Sequence, residues 1–179
     1  MERFEDMLKG GHPNSLGCTV EVVEQVLAQP ARFEELFCCY KSTDKLVRLR
    51  TSNAMKRVQK ANHALLVPYI HRLISEVAPI NQASVQWTIA QLFEALTDDI
   101  SADQLAAAKA IVQGNLASSS DWIVLKNSMD ALAKWAKQDQ ALADWLQPHL
   151  QRLTEDPRKA VAGRAKKLLG YFLGADSQL

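Results

Sequence analysis

The 179-residue chain reads as an all-α protein, a stacked array of about four helical hairpins. Three observations predict this. No segment sustains the period-two alternation of a half-buried strand. Apolar residues recur instead at helical spacing, punctuated by Pro, Asp and Ser turns. A two-helix pattern also returns with a period near forty. Val47, Val85, Val124 and Val161 open equivalent stripes at spacings of 38, 39 and 37 residues, and Met55, Phe93, Leu132 and Leu169 each lie eight residues further on. One hairpin cannot bury both of its apolar faces alone, so neighbours stack into a continuous core.

Residues 2–9 read as a short helix with Phe4, Met7 and Leu8 on one side, broken by Gly10-Gly11-His12-Pro13-Asn14. Residues 1–18 are a lead-in segment able to fold over one end of the array. Thr19 caps a helix to about Ala28 whose stripe, Val20, Val23, Val26 and Leu27, needs a cover, for which residues 2–9 are the candidate. Pro30 fits the first turn of a helix from Ala31 to about Tyr40, amphipathic through Phe33, Leu36 and Phe37. Ser42-Thr43-Asp44 starts a longer helix to about Asn62, with Val47, Thr51, Ala54, Val58 and Ala61 on one face.

A helix over Leu65–Ala78 contains Pro68, and Ser84–Leu96 follows with Val85, Ile89, Leu92 and Leu96 in register. Ser101 and Gln104 have the spacing of a capping box for a helix to about Leu116. Asp121–Lys137 carries Val124, Ser128, Ala131 and Trp135. Ala141–Thr154 contains Pro148, and Asp156-Pro157 opens a last helix to about Leu173. The repeat domain therefore spans 19–174, and 175–179 are expected to fray.

Pro148, Asp156, Pro157 and Val161 in the last unit, and Val47-Arg48 with Ala54-Met55 in the first, resemble the HEAT-repeat family, a proline in the first helix, an Asp-Pro turn and Val-Arg in the second. The middle units depart from this pattern: Glu76 and Ser119 stand where the Asp is expected, and Gln86 and Leu125 where the Arg is, as does Ala162 in the last unit. The resemblance covers 31–173. It implies a right-handed α–α superhelix of the HEAT/armadillo type whose second helices line a concave face and whose first-helix prolines bend the array. It carries little about function, because such arrays serve as scaffolds in many processes.

Composition excludes several classes. A net charge of +1 gives no global pull toward nucleic acid or membrane. No apolar run approaches the ~20 residues that cross a bilayer, and the amino terminus lacks the apolar stretch of a signal peptide, so a cytoplasmic location is expected. Cys18, Cys38 and Cys39 make neither a disulfide framework nor a metal motif, and are expected to be buried free thiols. His12, His63, His71 and His149 show no metal-ligand spacing, and the pairs Glu34-Glu35 and Asp98-Asp99 point about 100° apart on a helix. No catalytic set, metal or cofactor is expected.

Local charge is more informative. Helix 44–62 has a net charge of +5 and helix 157–174 also +5, while 83–97 and 121–139 have −1 and 0. The four second helices thus total +9 and leave −8 elsewhere. Trp87 lies about 200° from the Val85 stripe, near Gln86 and Gln91, as an exposed binding residue would. Trp135 and Trp145 fall on core stripes, and Trp122, at a helix start, fits either setting. The expected site is a concave face of Arg48, Arg50, Lys56, Trp87, Gln91, Lys126 and Arg164, acting as a non-catalytic interaction surface for a protein partner with an acidic segment. The alternative is nucleic-acid binding, because some DNA glycosylases for alkylated bases are HEAT-like and use tryptophans, a carboxylate and basic residues. A third possibility is a subunit whose end helices are covered by another chain.

Overall fold

The computed structural model describes residues 2–175, with side chains described to Phe172. The described residues are helical and turn structure without a strand, as expected. Helix α1 (Phe4–Met7) leads into α2 (Thr19–Ala28), α3 (Phe33–Cys38) and α4 (Lys45–Ala61). A broken segment follows: two 3-10 turns, His63–Leu65 and Val67–Tyr69, then the single turn α5 (Ile70–Arg72), then a π-helical turn Leu73–Val77. The remaining helices are α6 (Ala83–Ala95), α7 (Ala102–Ser118), α8 (Trp122–Ala136), α9 (Gln140–Leu153) and α10 (Lys159–Ala175).

Local chemistry sets the helix starts. Asp44 accepts from the Leu46 N–H at 2.7 Å, Asp121 from Ile123 and Val124, and Asp139 from Leu142 at 3.0 Å. The capping box at Ser101 and Gln104 is formed in both directions. Asp156 accepts from the Arg158 N–H at 2.9 Å, and α10 begins two residues later than the Asp-Pro pattern implied. Pro148 sits within α9 as expected. Pro68 differs, lying in the first positions of a 3-10 turn, where its missing N–H costs nothing. The expected continuous helix over 65–78 is therefore absent, and the segment closes through an i+5 bond from Ala78 N–H to Leu73 C=O at 2.9 Å.

Helix α2 packs on α4, α4 on α6, α6 on α8 and α8 on α10, while α7 and α9 pack on α8, and α9 also on α10. Val47, Val85, Val124 and Val161 are fully buried, as are Met55, Phe93 and Leu132 eight residues on, while Leu169, the fourth of that set, is half-buried against the core. One apolar cluster runs from Phe4 to Leu168. Phe4 and Leu8 are fully buried at its amino-terminal end, covering α2 and α3 as expected of residues 2–9. The face of α2 is rotated from expectation: Val22, Val23 and Val26 are buried and Val20 is exposed. Ala61, expected on the α4 stripe, is also exposed, at the helix end. The tail expected at 175–179 lies, beyond Ala175, outside the described residues. Among the described residues no helix is long and apolar enough to cross a membrane.

The Asp156 cap yields a pH prediction. The Arg158 guanidinium and N–H hold its carboxyl down at about 2, below the usual carboxylate range. Between the unfolded value near 3.8 and about 2, the unfolded chain binds the proton and the folded one does not, so stability falls as pH drops through this window. Asp156→Asn is expected to flatten that part of the curve, read as the difference in urea midpoints between the variant and the parent at pH 5 and pH 2.5. Equal pH dependence in the two proteins would remove Asp156 from the account.

Candidate functional site

Most of the cations expected to form a binding face are engaged inside the chain. Arg50, on α4, is only 3% exposed, which corrects its placement on an open surface. Its guanidinium donates to the backbone carbonyls of Leu8 at 2.8 Å, Lys9 at 3.2 Å, Gly10 at 2.7 Å, His12 at 3.4 Å and Ser15 at 3.2 Å. The lead-in segment is wrapped around this one side chain. The wrapping requires glycine at two points. Gly17 has φ +52° and a Cβ there would lie 2.7 Å from Arg50 Cζ, and Gly11, at φ +74°, leaves 3.4 Å to Arg50 Nη2. Further anchors hold the same segment. The Phe4 N–H donates to Glu35 at 2.8 Å, Ser42 donates to Glu5 at 2.9 Å, and the Arg32 guanidinium lies 3.7 Å over the Phe4 ring.

Arg48 donates from Nε to Gln82 at 2.8 Å and also to the Ser42 carbonyl, bridging α4 to the start of α6. Gln91 donates to Asn127 at 2.8 Å, bridging α6 to α8. Arg164 is paired with Asp130, bridging α10 to α8. Trp87 is half-buried rather than exposed, which corrects its placement on an open surface. The most exposed tryptophan is Trp122, at 45%, one turn before the exposed Lys126. Trp135 is core and donates to Thr97 at 2.9 Å, and Trp145 is half-buried and stacked on His149 with ring centroids 4.0 Å apart. Of the thiols only Cys39 is buried, which pushes it up to about 12 and disfavours a nucleophilic thiolate; Cys38 is half-buried and Cys18 exposed.

What remains open is a groove of about 560 Å³ between α4 and α6. The α4 wall is Asn53, Lys56, Arg57, Gln59 and Lys60, and the α6 wall is Gln91, Leu92, Glu94 and Ala95. Two of the expected site residues, Lys56 and Gln91, meet here, whereas Arg48, Arg50, Trp87, Lys126 and Arg164 do not line it. Asn53, Arg57, Lys60 and Glu94 were not singled out from sequence. A signal existed: 53, 56, 57 and 60 fall at i, i+3, i+4 and i+7, a continuous polar stripe on one helix face.

The groove is electrostatically unbalanced. Three cations line it against one carboxylate, and that carboxylate, Glu94, lies 3.7 Å from Lys134 of α8. Arg57 donates to neutral Asn53 at 2.7 Å. Lys56 is half-buried and has no carboxylate within 4.0 Å among the described residues. Burial, and then the Lys60 and Arg57 charges, hold its amine below the usual lysine range. Beyond Gln59, His63 accepts or donates at 3.0 Å on one ring nitrogen and lies 2.6 Å from Asp99 on the other. Among the described residues no group of three or more His, Cys, Asp or Glu side chains could hold a metal ion. The three cations lining the groove give it the charge to hold an anion.

No protein-family model, curated protein or solved structure matches this chain.

The Arg50 cradle makes a direct prediction. Arg50→Met keeps the buried stem and strips several carbonyls of their donor, which costs about 3 kcal/mol. Gly17→Ala strains the same loop from the other side and costs more than about 1 kcal/mol. Both are measured by urea denaturation, with amide exchange over residues 2–17 rising more than over α8. Unchanged midpoints would mean that the lead-in is not part of the cooperative unit.

Proposed function

We propose that the chain is a non-catalytic protein-interaction module, a HEAT-like array of helical hairpins wound as a right-handed superhelix, which takes an acidic segment of a partner protein into the α4–α6 groove. The array reading is supported by the chain of contacts α2–α4–α6–α8–α10 and by the burial of the same stripe position in each second helix. The observation that carries the binding reading is the uncompensated charge of Lys56, Arg57 and Lys60. A cation brought partly out of water without a partner is unfavourable, and an arriving carboxylate offsets that cost while Asn53 and Gln91 supply neutral polar contacts.

The same cations would attract phosphates, so nucleic acid is the competing ligand. A duplex is held by many phosphate contacts along a track. Four of the cations that would extend such a track, Arg48, Arg50, Arg158 and Arg164, are occupied by bonds within the chain, while exposed Lys126, Lys159, Lys166 and Lys167 lie on other helices outside the groove. This favours a short acidic peptide.

The test is a titration of the full chain with a fluorescent Glu-rich peptide and, separately, with a duplex oligonucleotide, each at two salt concentrations. The peptide is expected to bind, and the double variant Lys56→Glu, Lys60→Glu to weaken it by about tenfold or more, the equivalent of about 1.4 kcal/mol. Lys126→Glu, outside the groove, is expected to leave it unchanged. A duplex bound more tightly than the peptide, with a steep salt slope, would replace this reading with the nucleic-acid one. Binding of neither ligand would end both.

A further inference from the structure

We propose that Lys56 is an acylation site, its amine taking an acyl group from small anionic donors of the acyl-phosphate class. The amide so formed removes the charge at the centre of the groove. The effect on an acidic segment rests on the groove's proposed function, whereas the reactivity of Lys56 does not.

An amine that attacks a carbonyl must be unprotonated, reachable and close to a bound donor. The groove favours all three at Lys56, through its volume, its flanking cations and the half-buried stem. Its walls enclose about 560 Å³, within the roughly 300–1,000 Å³ typical of clefts for small molecules. Arg57 and Lys60 flank it on the same helix face and attract the donor's phosphate, while the only carboxylate of the lining is turned to Lys134. The half-buried stem and those two cations also disfavour the ammonium form.

Several other lysines lack one of these conditions, and Lys60, on the same groove, is exposed where Lys56 is half-buried. Lys9, Lys41 and Lys109 are engaged by Asp6, Glu76 and Asp139, the last at 2.6 Å, and Lys134 by Glu94. An amine held by a carboxylate is not free to attack. Lys126 is exposed, outside the groove, and without a carboxylate partner among the described residues, which makes it the natural comparator.

The step balances without a further reagent. The neutral Nζ attacks the carbonyl carbon of the acyl phosphate, an N–C bond forms, and the C–O bond to phosphorus's oxygen breaks. Inorganic phosphate leaves, and the nitrogen loses its extra proton to solvent. The site gains an amide and loses the capacity for positive charge.

The experiment incubates the full chain with acetyl phosphate and follows acetylation of each lysine by peptide mass spectrometry. Lys56 is expected to react severalfold faster than Lys126. That preference is expected to shrink with an uncharged phenyl ester as donor, and in the variant Arg57→Gln, Lys60→Gln. A Lys56 rate no greater than that of Lys126 overturns the proposal, and an undiminished preference for Lys56 with the neutral ester overturns the donor class.

Peptide binding is then read before and after acetylation. The parent protein is expected to lose severalfold in affinity, and Lys56→Arg, which keeps the charge but cannot form the amide, is expected to lose none. If the unmodified protein never binds the peptide, the acidic-segment reading fails while the acylation site stands on its own rates. Circular dichroism of both variants establishes that they are folded.

Discussion

Each of α4, α6 and α8 buries apolar surface against two neighbours in the series α2–α4–α6–α8–α10, and this constraint organises the rest of the molecule. Val47, Val85 and Val124 cannot be covered by a helix's own hairpin partner alone, so the series continues until something ends it. The polar side chains between successive helices then become connectors. Arg48–Gln82 joins α4 to α6, Gln91–Asn127 and Glu94–Lys134 join α6 to α8, and Arg164–Asp130 joins α8 to α10. Charge that looks like a binding surface in one dimension is largely structural glue in three.

The amino-terminal end of the series poses a separate problem, solved by the lead-in. Phe4 and Leu8 supply the missing apolar layer over α2 and α3, but a segment with Gly10, Gly11 and Gly17 has little tendency to hold a fixed path. Arg50 fixes it. A buried guanidinium presents a rigid fork of donors, and the chain curls to offer successive carbonyls. The glycines are needed because the chain passes so close to the guanidinium, and positive φ is needed to make the curl. A sequence otherwise reading as a linker is thereby made part of the folded unit.

This explains what was legible in the sequence. Most helix positions, caps at Asp44 and Ser101, and the buried register at Val47, Val85, Val124 and Val161 follow from local pattern, and the structure keeps them. The segment around Pro68 was not legible as broken, because 3-10, α and π turns share one apolar periodicity and differ only in which carbonyl each N–H reaches. Arg50 was not legible as buried, since its partners are backbone carbonyls about forty residues away that carry no side-chain signature. Of the site, Lys56 and Gln91 were read from charge and position. The rest of the wall needed knowledge of which α4 face meets α6.

The position of the groove follows from where the connectors stop. Between α4 and α6 the bridges lie at the amino-terminal ends, through Arg48, Gln82 and the Lys45 carbonyl. Between α6 and α8 they extend along the helix to Glu94 and Lys134. No hydrogen bond crosses from the 53–60 stripe of α4 to residues 91–95 of α6 among the described residues, and the next contact is His63 with Asp99 beyond the helix ends. At this step three cations, Lys56, Arg57 and Lys60, line the gap without a carboxylate bridge across it, on the side where Glu94 pairs with the following helix. Lys56 lies half-buried beside two like charges, an arrangement that burial and repulsion both disfavour and that an arriving anion would offset under the function proposed above.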